Sequence, residues 1–442
     1  MSKPVVAIVG RPNVGKSSLF NTLYGERISI VHDTPGVTRD RLYADTSWRG
    51  RDFIMVDTGG IEPESDDVIL KNMRIQAEIA IETADVIIFM CDIKTGLTAA
   101  DEEIAIMLRK AGKPVVCAVN KCDFVGEVPP EFYEFYNLGL DNLVSLSASH
   151  RLGIGELLDA VFEHFPPEDE GEEDSSSIRV ALIGRPNAGK SSLANKIIGE
   201  DRSIVSDIAG TTRDTIDTLV TNKHGTFTIV DTAGMRKKGK IEDKVEKYSM
   251  VRALAAIERA DVCVILVDAS VGITEQDTRI AGLAHDTGKA SVIAINKWDL
   301  IDKETGTLEQ MTKIAKERFS FMDYASVVFI SAHTGQRLDK LFEKIKIARE
   351  NSQKRLKTGI FNDMLNEAVA MVPTPQDKGK HLKIYYGTQV AVNPPTFALF
   401  VNDKELSHFS YERYLENQIR KNFGFEGVPI RILLRNKNAN EE

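Results

Sequence analysis

Short apolar runs alternate with longer amphipathic stretches through the first three-quarters of the chain. Val5–Val9, Phe53–Val56, Val86–Met90, Val115–Val119 and Leu143–Leu146 are nearly continuous apolar segments, the pattern of strands buried on both faces. Lys16–Tyr24 and Ala100–Ala111 between them place apolar residues at helical spacing. The same succession returns at Val180–Ile183, Thr228–Val230, Val262–Val267, Ser291–Ile295 and Val327–Ile330. This predicts an α/β protein with two tandem domains, each a doubly wound, mostly parallel sheet covered by helices on both faces.

The alternation is one domain written twice. Gly10–Asp40 and Gly184–Asp214 agree at about two-thirds of positions, 174 residues apart; the offset persists at Asp57 and Asp231 and becomes 176 at Asn120 and Asn296. So long a period excludes a solenoid of short repeats. Beyond a helix near Gln336–Glu350 the pattern changes. Gly359–Val372 reads as a helix ended by Pro373–Pro375, His381–Tyr386 and Thr396–Val401 as strands, Tyr411–Phe423 as an amphipathic helix and Pro429–Leu434 as a last strand. The expected division is 1–165 and 178–351 for the two copies and 352–442 for a small α+β domain. Between the copies, 166–177 is a proline-led acidic stretch without apolar anchors, which predicts an extended, mobile tether.

Composition changes this picture little. Of 442 residues 42% are hydrophobic and 27% charged, as in ordinary globular chains. No apolar run approaches the ~18 residues of a membrane span, and Val5–Val9 is too short for a signal-peptide core. Cys91, Cys117, Cys122 and Cys263 form no CxxC pair and the eight histidines no HExxH cluster, so the expectation is structural thiols in a reducing cytoplasm and no protein-bound zinc. The net charge of −9 argues against bulk nucleic-acid binding, but Asn351–Glu442 holds 13 Lys and Arg against 10 Asp and Glu, a mildly basic tail.

Four motifs recur in each copy. Gly10-Arg11-Pro12-Asn13-Val14-Gly15-Lys16-Ser17 and Gly184-Arg185-Pro186-Asn187-Ala188-Gly189-Lys190-Ser191 fit GxxxxGK[ST] between a strand and a helix. Such a loop curls backbone N–H groups toward phosphate oxygens, with the lysine on the β- and γ-phosphates and the serine hydroxyl on Mg²⁺. Asp57-Thr58-Gly59-Gly60, followed by Ile61, and Asp231-Thr232-Ala233-Gly234, followed by Met235, end strands; the aspartate suits Mg²⁺ and the last glycine the γ-phosphate. Asn120-Lys121-Cys122-Asp123 and Asn296-Lys297-Trp298-Asp299 read the base. A carboxylate accepts from guanine N1–H and the N2 amino group, a donor pair that adenine lacks, so the substrate is GTP and not ATP. Ser147-Ala148 and Ser331-Ala332 supply a backbone N–H for guanine O6. Thr38 and Thr212 stand in aligned loops where a threonine completes the Mg²⁺ shell only when the γ-phosphate is present, with Thr211 a competing ligand in the second copy. Lys16, Lys190, Thr38 and Thr212 are the candidate catalytic residues.

These elements in this order resemble the translation-factor-related GTPases, and the doubling with an α+β tail resembles their double-GTPase ribosome-assembly members. The resemblance covers essentially the whole chain. It implies a KH-like tail, hydrolysis of GTP to GDP and phosphate, Mg²⁺ dependence, and action on the large ribosomal subunit and its rRNA by a monomer that binds neither membrane nor DNA. It also implies stimulation by K⁺, with Asn13 and Asn187 at the positions that help bind it. That would answer a departure from small signalling GTPases, since Ile61 and Met235 stand where a water-orienting glutamine is expected. The tail departs from RNA-clamping KH domains: its one GxxG string, Gly424-Phe425-Glu426-Gly427, lies between a helix and the last strand and is acidic. The tail is therefore expected to dock on the second GTPase domain, or on rRNA through Lys380, Lys383, Arg420 and Lys421. The second DxxG is followed by basic Arg236-Lys237-Lys238-Gly239-Lys240 and the first by acidic Glu62-Pro63-Glu64-Ser65-Asp66-Asp67, which predicts different jobs for the two switches. A scaffold with one non-hydrolysing site is the rival reading. A membrane-remodelling GTPase would need an anchor, and a tRNA-modifying one a further catalytic domain.

Overall fold

The computed structural model describes residues 3–25, 43–58, 69–123, 128–166, 177–199, 204–207, 217–231, 246–302, 304–377 and 379–437. The linker at 167–176, both switch loops with Thr38, Thr211 and Thr212, and Gly59–Asp67 and Thr232–Lys240 lie outside these residues. The chain divides into two compact units, residues 1–173 with 239–258, and residues 174–238 with 259–442.

In the first unit, Val5–Gly10 forms β1 with every residue buried. Val5, Ala7 and Val9 enter one core cluster and Val6 and Ile8 another, because alternate side chains of a strand point to opposite faces. There follow α1 (Lys16–Gly25), β2 (Tyr43–Trp48), β3 (Arg51–Asp57), α2 (Ile69–Thr83), β4 (Val86–Asp92), α3 (Ala99–Lys110), β5 (Val115–Asn120), β6 (Asn142–Ser145) and α4 (Ile154–Phe162). The strand order is β2-β3-β1-β4-β5-β6, with β2 antiparallel to β3 and the other pairs parallel. The apolar-run criterion misses β2 because Tyr-Ala-Asp-Thr-Ser-Trp is half polar. From β1 the chain moves to one side to reach β3, then crosses to β4 on the other. This reversal opens a crevice at the carboxyl ends of these strands, where open α/β sheets bind ligands.

The second copy repeats the frame with β7 (Ser177–Ile183), α5 (Lys190–Ile198), β8 (Ile204–Asp207), β9 (Thr218–Asn222), β10 (Gly225–Ile229), α6 (Glu246–Arg259), β11 (Val262–Asp268), α7 (Glu275–Asp286), β12 (Ala290–Asn296), α8 (Thr307–Arg318), β13 (Ser326–Phe329) and α9 (Leu338–Ser352). Its sheet runs β13-β12-β11-β7-β10-β9-β8. Helix α6 is a surprise of the fold: Val251 and Leu254 belong to the first unit's buried cluster with Met73, Ala77 and Ala80 of α2. Helices α3 and α7 start alike: the Thr98 and Thr274 hydroxyls accept from the N–H groups of Asp101 and Asp277, and the threonine N–H groups donate back to those carboxylates in a capping box.

The tail contains α10 (Thr358–Met371), the two-residue strands β14 (Gln376–Asp377) and β15 (Lys380–His381), then β16 (Ile384–Val392), β17 (Pro395–Val401), α11 (Phe409–Phe423) and β18 (Arg431–Asn436). Its three-stranded sheet, β16-β17-β18, buries Phe397, Leu399 and Val401 with Phe361, Leu365, Leu415 and Ile419 of the helices. The strand predicted at His381–Tyr386 is instead split, and its main part continues to Val392. Polar Gln389 hides that continuation in the sequence: it is buried because it accepts from Leu356 N–H at 2.7 Å and donates to Lys354 O at 2.9 Å.

The GxxG string docks the tail onto the second GTPase domain. Ser291 N–H donates to Gly427 O at 2.7 Å, and Gly427 N–H to Tyr324 O at 2.8 Å. Glu426 accepts from Ser326 Oγ at 2.5 Å and pairs with Lys344 at 2.8 Å. Phe425 plugs the tail core and Val428 the GTPase core. Arg420, expected to face RNA, instead turns inward: it bonds Glu416, Phe425 O and Val428 O and lies 5.0 Å over the Tyr324 ring. Lys380, Lys383 and Lys421 are exposed.

Two predictions follow from this junction. Gly427 has φ +79°, and a Cβ there would stand 2.6 Å from Ala348 Cβ. Gly427→Ala should therefore destabilise the second unit by about 1–3 kcal/mol, read by urea unfolding of Trp298 fluorescence in a Trp48→Phe background. His285 bonds Tyr324 Oη at 3.0 Å, and burial, then Arg431 and Arg420, push its pKa down to about 4. The unfolded chain thus binds the extra proton first. Stability of this unit should be complete above about pH 6.5 and fall by up to about 3 kcal/mol as pH drops toward 4. The same unfolding measured across pH should show that loss, and His285→Phe should flatten it.

Candidate functional site

Each phosphate loop is a strained turn held from outside. Asn13 and Asn187, exposed at the loop apices, have φ of 64° and 62°, and Gly15 and Gly189 follow at 101° and 100°. A Cβ on either glycine would strike the amide of Asn120 or Asn296, so glycine is required by close approach as well as by φ. Those amides are the fasteners. Asn120 Nδ2 donates to Val14 O at 2.7 Å while its Oδ1 accepts from Ala148 N–H at 3.0 Å. Asn296 repeats both bonds, to Ala188 O at 2.8 Å and from Ala332 N–H at 2.9 Å. Within the Ser147-Ala148 and Ser331-Ala332 pairs, expected to supply a backbone N–H for guanine O6, the Ala148 and Ala332 N–H groups bond these side chains.

Lys16 Nζ lies within the loop, donating to Gly10 O at 2.7 Å and Arg11 O at 2.8 Å; Lys190 donates to Gly184 O at 2.7 Å and Arg185 O at 2.9 Å. Ser17 Oγ donates to Asp57 Oδ2 at 3.0 Å. A hydroxyl and a carboxylate from different elements meeting beside a phosphate loop are hard oxygen donors of the kind Mg²⁺ takes, so the residues present fit that ion. Thr58 Oγ1 bonds Ile8 O and fixes the end of β3. Asp231 lies two residues beyond β10, with φ 59°.

At the end of the Asn120–Asp123 motif, Ser147 Oγ donates to Asp123 Oδ1 at 2.8 Å and Lys94 Nζ to Asp123 Oδ2 at 2.6 Å. Lys94, then Ser147, hold the Asp123 carboxyl below its ordinary value. Cys122 and Trp298 are buried, the latter with its ring centroid 4.5 Å from that of Phe329; all four cysteines are buried free thiols.

Sequence reasoning missed two supporting carboxylates per copy. Lys121 Nζ binds Asp92 Oδ2 and Lys297 Nζ binds Asp268 Oδ2, both at 2.6 Å. Burial raises these two carboxyls, but the lysines and adjacent N–H and hydroxyl donors outweigh it and hold them below the ordinary range. Arg11 Nε binds the buried Asp101 at 2.9 Å, whereas Arg185 Nε stands 3.6 Å from Asp277, whose carboxyl burial pushes up. The available signal was the doubled spacing: Asp92, Gly96 and Asp101 recur as Asp268, Gly272 and Asp277 at the 176-residue offset.

A family described as "50S ribosome-binding GTPase" matches residues 5–121 and 179–297. A second, described as the C-terminal KH-domain-like part of EngA bacterial GTPase enzymes, matches 355–435. GTPase Der of Acetivibrio thermocellus is 61% identical over 437 residues, 99% of each chain.

The chain belongs to the Der (EngA) family of GTPases.

GTPase Der of Staphylococcus saprophyticus is 55% identical over 438 residues, 99% of this chain and all of that one. Among solved structures, Era of Aquifex aeolicus bound to GDP and aluminium fluoride has 26% identity and a TM-score of 0.31, covering 57% of this chain and 88% of its own. The chain is thus a GTP-hydrolysing enzyme with tandem GTPase domains and a KH-like tail, and nucleotide binding with Mg²⁺ is general to its class. Among the described residues, no helix is long and apolar enough to cross a membrane.

Asn120→Ala removes both bonds of a buried amide, a loss of about 1–3 kcal/mol. Affinity for a fluorescent GDP analogue at the first site should fall by roughly 5- to 150-fold with the second site unchanged, and Asn296→Ala should do the reverse.

Proposed function

We propose that both sites bind and hydrolyse GTP, and that the chain is a cytoplasmic, monomeric switch acting in maturation of the large ribosomal subunit. One observation carries the two-site reading: the asparagine that joins phosphate loop to base-reading loop is bonded alike in both copies, through Asn120 and Asn296. The ribosomal assignment rests on family membership along the whole chain.

The loop N–H groups of Gly10–Ser17 and Gly184–Ser191 cradle the phosphates at the start of α1 and α5. Lys16 and Lys190 leave their loop carbonyls for the β- and γ-phosphate oxygens and hold the charge that builds there during transfer. Ser17, Asp57 and Thr38 in the first site, and Ser191, Asp231 and Thr212 in the second, would hold Mg²⁺, which would neutralise phosphate charge when bound. Gly60 and Gly234 bring N–H groups to the γ-phosphate. Asp123 and Asp299 read guanine, while Lys121 and Lys297, fixed by Asp92 and Asp268, flank the base. Asn13 and Asn187 offer exposed carboxamides at the loop apices, suited to a K⁺ ion beside the phosphates where Ile61 and Met235 cannot orient water.

Lys16→Ala and Lys190→Ala should each lower single-turnover hydrolysis at the altered site by about 100-fold or more. An unchanged rate would make that site a nucleotide-holding scaffold. Replacing K⁺ by Na⁺ should slow hydrolysis, and Asn13→Ala with Asn187→Ala should erase the difference. Sedimentation should place the large ribosomal subunit with the chain in a non-hydrolysable GTP analogue and not in GDP; binding indifferent to nucleotide would overturn the switch.

A further inference from the structure

The two copies share one frame around the Asn-Lys-x-Asp motif, and one of the positions at which they differ is Lys94 against Ser270. Lys94 N–H donates to Asp92 Oδ1 at 2.9 Å, and Ser270 N–H donates to Asp268 Oδ1 at 3.0 Å. In both copies the lysine of the Asn-Lys-x-Asp motif closes on the same carboxylate at 2.6 Å. Lys94 and Ser270 therefore occupy equivalent positions, with different reach. Ser270 Oγ turns back to Asp268 Oδ1 at 2.6 Å. Lys94 Nζ crosses the pocket to Asp123 Oδ2 at 2.6 Å, while Ser147 Oγ holds Asp123 Oδ1 at 2.8 Å and His150 Nε2 stands 3.8 Å from it.

We propose that Lys94 competes with guanine for the base-reading carboxylate of the first site, so that this site binds guanine nucleotide more weakly than it would with serine there, as in the second. The proposal rests on the reading of Asp123 as the guanine acceptor. A carboxylate accepts but cannot donate, and guanine brings two N–H donors to it. An ammonium already on one oxygen offers the same kind of donor and adds a positive charge facing the donor edge of the base. Guanine enters by displacing that ammonium or by accepting a weakened bond beside it. The pair is solvent-facing, the Lys94 side chain 61% and that of Asp123 29% exposed, so the competition amounts to a factor of roughly two to five in affinity. Salt screens an exposed ion pair much more than it does a short hydrogen bond, so the handicap shrinks as ionic strength rises.

The test is a reciprocal exchange in the full chain, titrated with a fluorescent GDP analogue. Choline chloride sets ionic strength at constant K⁺. Lys94→Ser in a Lys190→Ala background should bind about two- to fivefold tighter than its parent at low salt, with the advantage fading at high salt. Ser270→Lys in a Lys16→Ala background should weaken the second site by a similar factor. Affinity unchanged or reduced by Lys94→Ser overturns the proposal, since the lysine would then be neutral or a support for the nucleotide. Equal binding of an ADP analogue by the Lys190→Ala parent overturns the base reading beneath it, a result distinct from a neutral Lys94.

Discussion

A single side-chain amide, at the end of β5 in one GTPase domain and of β12 in the other, ties the phosphate loop to a loop near the domain's far end. Asn120 donates to the carbonyl of Val14 and accepts from the amide of Ala148, so a loop near the start of the domain and one near its end are fixed to the same atom group. Both partners are backbone, so the side chains around them are free to vary while the geometry stays. Val14 becomes Ala188 and Cys122 becomes Trp298 between the copies, yet the equivalent bonds differ by only 0.1 Å. Gly15 and Gly189 follow from the same constraint, because the amide sits where their side chains would be.

Much of this was legible in the residues. Strands buried on both faces announce themselves as apolar runs, and the phosphate and guanine motifs are contiguous strings. What stayed hidden was of another physical kind. β2 and β9 are flanking antiparallel strands with polar alternation, which an apolar-run criterion passes over. Asp92 and Asp101 work through partners 29 and 90 residues away, a relation no local string expresses. Gln389 is a buried polar residue inside a strand, made tolerable by backbone groups that only the fold brings to it. Arg420 reads as one more surface cation until the carbonyls of Phe425 and Val428 are seen to close on it.

Duplication has kept the frame and released the fittings. The phosphate-loop arginine is bonded to its aspartate in the first copy and lies farther from it in the second, 2.9 Å against 3.6 Å. Lys94 reaches the Asp123 carboxylate in the first copy, whereas its counterpart Ser270 turns back to Asp268 in the second. Two domains built from one plan thus carry different electrostatic surroundings at equivalent positions.

Strand β12 has a job at each end. Its second residue, Ser291, donates its N–H to the Gly427 carbonyl of the tail, and its last, Asn296, carries the amide that fastens the Gly184–Ser191 loop through Ala188 O. Between them lies a fully buried segment about 20 Å long, hydrogen-bonded to β11 on one side and β13 on the other. A strand so clamped behaves as a strut: it neither stretches nor slides without breaking a ladder. A load on Gly427 is therefore borne by the same strand that carries Asn296.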